Sequence, residues 1–306
     1  MVAIPAQVPS RPRAVAAPVS PPAPVELSFA ATDGVELAAT HLAPVGLARG
    51  AVLIAPAMGV PQRFYLPFAT WLAERGFHVL TFDYRGMGRS RRGSLRGLDA
   101  DLILWARRDA TAALRHLQDL APELPVTWIG HSLGGQIVPF VPDHPSLAQI
   151  ITVAAGSGYW RHNSPALKRK VWLMWWLAAP IATAVAGYFP GRALGMVGDL
   201  PRGVIRQWRR WCLDPGYAVG AEGTAVAELF RRVQTPITAL SFTDDEMMSA
   251  RSIEGLHAAF TGAAQEHVRL DPAAVERPRI GHFGWFRAEQ QPLWASVLEP
   301  VLATRR

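Results

Sequence analysis

The chain has 306 residues, half of them apolar and 18% charged, which excludes a disordered or collagen-like polymer and leaves room for one large core with an insertion. A single cysteine, Cys212, excludes an intramolecular disulfide and suits a reducing, cytoplasmic compartment. The net charge of +7 comes from arginines scattered in short clusters without a nucleic-acid motif, so nucleic acid is not expected as a partner and an anionic membrane surface suits the charge better.

Residues 1–24 are rich in Pro, Ala and Val, and Pro interrupts every apolar run before it reaches the length of a signal-peptide core. A disordered tail is expected there. From Val25 the texture changes. VELSFA and VELAATHLA flank Thr32-Asp33-Gly34, a turn signal that makes them a hairpin. AVLIA (51–55) is a buried strand by length and composition, followed by a helix over 64–75 that Gly76 closes. HVLTF (78–82), a long helix near 98–119, VTWI (126–129) and IITVA (150–154) continue the alternation, and ITALSF (237–242), HVRL (267–270) and a last helix over 288–302 complete it. Strands that are apolar on both faces, alternating with helices, predict an α/β fold: a mostly parallel eight-stranded sheet covered by helices, with an antiparallel hairpin at one edge. Between 157 and 232 the alternation stops. This stretch reads as helical and holds six of the eleven tryptophans, so an inserted helical cap is expected between core segments 25–156 and 233–306.

The chemistry is signalled at Gly130-His131-Ser132-Leu133-Gly134, a G-x-S-x-G element directly after the strand PVTWI and before a short helix. That context forces a sharp turn, exposes the serine at the carboxyl edge of the sheet and aims the Leu133 N–H at the place where an oxyanion would form. A serine hydroxyl is a weak nucleophile and needs a histidine base and a carboxylate to orient it. On a sheet carrying such an elbow the acid follows the serine and the histidine comes last. His282, in the glycine-flanked loop Ile280-Gly281-His282-Phe283-Gly284, is therefore the expected base. His131 neighbours the nucleophile, but its side chain is expected to leave on the opposite side of the turn. The acid should follow ITALSF, where Asp244, Asp245 and Glu246 stand side by side. Asp245, before Met247 and Met248, fits the strand–turn pattern, with Asp244 as the competitor. The second oxyanion donor should come from Ala55-Pro56-Ala57-Met58-Gly59, where Pro56 has no N–H; register favours Ala57, then Met58.

With these elements the sequence resembles the α/β-hydrolase superfamily over roughly residues 25–302. Phe82-Asp83-Tyr84-Arg85-Gly86-Met87-Gly88-Arg89-Ser90 looks like the D-x-R-G-x-G-x-S loop after the fourth strand. GHFGWFR near the end, and Asp199 to Val204 with Trp208, Trp211 and Cys212, look like a bacterial subgroup of predicted α/β-hydrolases. The chain departs from the superfamily at Ala55-Pro56, where His-Gly is common, and at Pro139, which should shorten or kink the helix after Ser132.

The resemblance implies hydrolysis of an ester, thioester or amide through an acyl-enzyme on Ser132, with no metal or organic cofactor. The apolar 157–232 stretch favours a lipid-like ester. An acyltransferase or serine peptidase would keep the same triad, and a non-catalytic binding protein on the same fold is the third class. Val171 to Phe189 is uncharged and just reaches spanning length, yet a span there would put Ser132 and His282 in different compartments. A cap that lies on the active site, or dips into a membrane interface through its Trp face, is more economical, and a plain buried cap helix is the commonest explanation of such a run.

Overall fold

The computed structural model describes residues 23–196 and 198–303. The expected tail at 1–24 lies almost wholly outside them. Eight strands form one sheet: β1 (Val25–Ala30), β2 (Glu36–Leu42), β3 (Gly50–Ala55), β4 (Phe77–Phe82), β5 (Val126–His131), β6 (Gln149–Val153), β7 (Ile237–Phe242) and β8 (Gln265–Leu270). Their spatial order is β1-β2-β4-β3-β5-β6-β7-β8. The β1/β2 and β2/β4 pairs are antiparallel and every other pair is parallel. The α/β architecture and the antiparallel edge are those the strand pattern predicts.

Alternate residues of the central strands serve two separate cores. On one face Leu53, Leu80 and Trp128 pack with Trp105 and Leu114 of the helical stretch 102–120. On the other, Val52, Ile54 and Ile129 pack with Phe68 and Trp71 of helix Leu66–Ala73 and with Trp285 and Trp294 near the end of the chain. Burial on both sides is why these strands read as continuous apolar runs. The helix expected over 64–75 begins as a 3-10 turn, Gln62–Tyr65, because Pro67 supplies no donor at the start of the α-helix. The helix expected from 98 starts at Leu102, where the Asp101 carboxylate accepts from the Leu104 N–H at 2.7 Å. After Ser132 only Leu133–Gln136 is α-helical, and Pro139 falls in a 3-10 turn, Val138–Phe140.

Between β6 and β7 lie a long helical stretch, 165–186, and the helices Arg202–Leu213, Tyr217–Glu222 and Thr224–Arg231. The first stretch ends at Gly187 in the left-handed conformation, φ 79°. Among the described residues no helix is long and apolar enough to cross a membrane.

Candidate active site

The turn between β5 and the helix Leu133–Gln136 is built by close backbone approach. A Cβ at Gly130 would press on the Gly134 backbone, and one at Gly134 would collide with the Ala55 carbonyl of β3. Ser132 itself takes φ 49° and ψ −111°, a conformation that costs an ordinary residue about 1–3 kcal/mol. Its backbone is pinned by the Ser132 N–H donating to the Val153 carbonyl of β6 at 2.9 Å. The tightly packed neighbours hold the strain, and the side chain faces a cavity.

His282 lines the same cavity. Its Nδ1 lies 2.9 Å from Asp245 Oδ2 and 3.2 Å from Oδ1, with both side chains buried. Asp245 Oδ1 also accepts the N–H groups of Met247 (2.7 Å) and Met248 (2.8 Å), which fix the carboxylate plane. Asp244 does not reach the ring. Its carboxylate accepts the N–H groups of Ile280 (2.9 Å) and Gly281 (3.0 Å). Glu246 Oε2 accepts the His282 N–H at 3.0 Å. Three consecutive acids thus hold one loop: two grip its backbone and the middle one faces the imidazole.

Beneath the histidine runs a hydrogen-bond chain whose direction its donors determine. Carbonyls only accept, so the bond between His131 Nε2 and the His282 carbonyl, 3.0 Å, places a proton on Nε2. Burial and the nearby His282 ring push the His131 pKa well below its usual range, so its Nδ1 is a bare acceptor. The Tyr65 hydroxyl, kept protonated by complete burial, donates to that Nδ1 at 2.8 Å and in turn accepts the Ala57 N–H at 2.9 Å. This extends one expectation and corrects another. The His131 side chain leaves the turn away from the cavity, whose lining does not include it. It supports the His282 backbone, its ring 5.3 Å from the His282 ring. The Ala57 N–H is already donated to Tyr65, so it is not available to an oxyanion. The Met58 N–H has no partner among the described residues, and neither has that of Leu133 at the helix start. Neither Tyr65 nor His131 could be placed in this chain from sequence, because their partnership spans 66 positions.

The loop after β4 is held by its own network of ion pairs and hydrogen bonds. The Asp83 carboxylate accepts the N–H groups of Gln62 (2.8 Å) and Arg89 (2.9 Å), and a Cβ on Gly88 would overlap it. Arg85 Nε donates to buried Asp109 at 2.8 Å while its Nη atoms grip Asp33, each at 2.8 Å. Burial pushes the Asp109 pKa up to about 6 against the pull of Arg85.

The cavity in front of Ser132 measures about 100 Å³. Met58, Met174, Met196, Met247 and Met248 line it with Trp175, Trp208 and Phe283, and no Asp or Glu is among its lining residues. Cys212 lines it as well, and burial raises its thiol pKa well above the usual range. Two buried polar atoms on this wall lack partners, the Asn163 Oδ1 and the Trp175 indole N–H.

Comparison with known proteins bears on the fold. The family profile described as "Serine aminopeptidase, S33" matches residues 46–192. A soluble variant of monoglyceride lipase from Saccharomyces cerevisiae superposes with a TM-score of 0.65 at 17% identity, covering 96% of this chain and 97% of that one. A carboxyl esterase from Bacillus coagulans gives 0.59 at 17% identity, covering 92% and 99%. The uncharacterised protein YfhR of Escherichia coli (strain K12) is 32% identical over 114 residues, a match that spans 36% of this chain and only 38% of YfhR. The chain has the α/β-hydrolase fold.

Proposed function

We propose that this chain is a serine hydrolase that cleaves carboxylic esters with apolar acyl groups through an acyl-enzyme on Ser132. The observation that carries the reading is the strained Ser132 at a cavity it shares with a carboxylate-bound His282. In the first half-reaction His282 Nε2 takes the Ser132 hydroxyl proton as Oγ bonds to the acyl carbon. The oxyanion that forms accepts the N–H groups of Leu133 and Met58. The C–O bond to the alcohol then breaks, and His282 returns the proton to the departing oxygen. Water, deprotonated by His282, next attacks the acyl carbon and releases acid and free Ser132. Asp245 keeps the Nδ1 proton in place and so leaves Nε2 bare to act as base.

The 157–232 insertion acts in this reading as a cap whose methionines and tryptophans bind the acyl chain. Thioether side chains are flexible and polarisable, so such a wall adapts to chains of differing length. Each added methylene contributes about 0.8 kcal/mol, roughly a fourfold gain in kcat/KM until the cavity is full. Asn163 and Trp175 offer an acceptor and a donor to a polar group on the substrate. The S33 profile also favours an aminopeptidase. Such a substrate carries an α-ammonium group, which a wall without carboxylates does not stabilise.

The test is a panel of p-nitrophenyl esters of rising acyl length beside aminoacyl p-nitroanilides, with fluorophosphonate labelling of the native chain and Ser132→Ala. Rising kcat/KM with chain length, and labelling lost in Ser132→Ala, are expected. Labelling at another serine would overturn the mechanism, and a profile that peaks at acetyl would overturn the acyl pocket. Faster turnover of the anilides would make the chain a peptidase.

A further inference from the structure

The helical stretch 165–186 is apolar on both sides. Its inner side, Val171, Met174 and Trp175, is buried and lines the cavity over Ser132. Its outer side carries Trp172, Leu173, Trp176, Leu177, Ile181 and Val185, which are 44–80% exposed. No charged residue interrupts that outer face from 171 to 186. A solvated helix places polar residues there, so this surface calls for an apolar partner.

The charge around it specifies which partner. Residues 161–210 hold nine Lys and Arg against one acid, Asp199, whereas the whole chain carries only +7. Asp199 is paired with Arg91. Lys168, Arg169 and Lys170 stand exposed at the entrance of the apolar face and make no ion pair among the described residues. On the flank, where helix Arg202–Leu213 packs alongside, Arg206 and Arg209 border a cleft with Thr183, whose buried hydroxyl has no partner. Exposed tryptophans, an uncharged helix face and a basic rim match the layered chemistry of a bilayer surface: acyl chains inward, anionic headgroups around them.

We propose that the outer face of this helix docks the protein on an anionic lipid surface. Trp172, Trp176, Leu177, Ile181 and Val185 enter the interface, while the lysines and arginines meet headgroup phosphates. Because the same helix roofs the cavity, docking sets the opening beside the membrane. Docking does not depend on the esterase reading, since it is measured equally well in the Ser132→Ala chain.

The experiment is flotation of the full chain with phosphatidylcholine vesicles, with and without phosphatidylglycerol, alongside tryptophan fluorescence and quenching by bromolipids. The native chain and Ser132→Ala should both float, far more strongly with the anionic lipid, with a blue-shifted and quenched emission. Substituting Lys168, Arg169 and Lys170 together by Gln should weaken binding to anionic vesicles on the order of 100-fold, at about fivefold per charge. Leu177→Glu with Ile181→Glu should abolish flotation while leaving hydrolysis of a soluble short-chain ester unchanged, because neither side chain lines the cavity. Absence of flotation at any anionic content would overturn the proposal, and so would binding that survives the double Glu variant. Sedimentation showing a dimer that the double variant dissolves, without vesicle binding, would assign the face to a second copy of this chain instead.

Discussion

The two walls of the cavity are built on opposite plans. On the sheet side, the loops carrying Ser132, His282 and Asp245 are held by directional bonds: three acids in a row bind the 280–282 loop, and Ala57, Tyr65 and His131 form a chain ending on the His282 carbonyl. On the helical side, Val171, Met174 and Trp175 are held mainly by packing, with one bond from Arg209 Nε to the Trp175 carbonyl at 2.5 Å, and the helix that carries them is apolar outside as well as inside. Directional bonds fix atoms to within tenths of an ångström, which proton transfer requires. Apolar contact fixes only a volume, and volume suffices for an acyl chain or a bilayer. The contrast makes distinct predictions for substitutions on each wall.

The largest effect belongs to the middle acid. Asp245→Asn should lower kcat on the order of 10⁴-fold by losing the tautomer of His282. Asp244→Asn should retain fluorophosphonate labelling and lose mainly stability, by about 1–3 kcal/mol from loosening the 280–281 backbone. Steady-state kinetics and urea titration of the two variants decide it, and a collapse of kcat in Asp244→Asn with near-normal Asp245→Asn would reverse the roles.

Tyr65→Phe comes next. It leaves the Ala57 N–H and His131 Nδ1 buried without partners, so about 2–5 kcal/mol of stability should be lost, with kcat falling more than KM rises. An unchanged urea midpoint would mean that the chain beneath His282 is not under tension. A comparable loss is expected inside the packed wall: Trp175→Ala should cost about 3–5 kcal/mol and flatten the acyl-length preference.

Acid should act on the bonded framework. Burial lowers the His257 pKa to about 4, with Nδ1 at 2.7 Å from the Ile253 carbonyl and Nε2 at 2.9 Å from the Thr152 hydroxyl. The unfolded chain binds this proton near pH 6.5 and the folded chain only near 4. Stability is therefore full above 6.5 and declines as pH falls through that window, by about 3 kcal/mol from this residue. His131 is shifted in the same direction. Urea midpoints measured from pH 7 to 4 should fall, and His257→Gln should flatten the slope.

The smallest effect sharpens the comparison most. Ile181→Ser changes only the outer face and should shift stability by less than about 0.5 kcal/mol, whereas Trp176→Ala also removes an edge-on contact with Trp160 and should cost about 0.5–1.5 kcal/mol. A large loss at either position would mean that the outer face is packed in the protein's working state.

Local sequence carried the elements whose cause is local. The glycines of the serine turn, the two-faced apolar strands and the hairpin at Asp33-Gly34 are each dictated by neighbours within a few residues, so α/β architecture and the elbow at Ser132 were legible before any coordinates. The uncharged run 171–189 was legible too, but which of its residues face the cavity and which face outward depends on where helix Arg202–Leu213 packs. Asp244, Asp245 and Glu246 are chemically near-equivalent neighbours. Only the end of β7, set against the 280–282 loop, decides which carboxylate meets the ring and which two meet backbone N–H groups. Ala57 and Met58 offer identical donors in sequence. A tyrosine hydroxyl eight residues on, itself aimed by a histidine on β5, occupies one and leaves the other free. Hydrogen-bond partnerships across the sheet are properties of distance and direction in space, and no spacing along the chain encodes them.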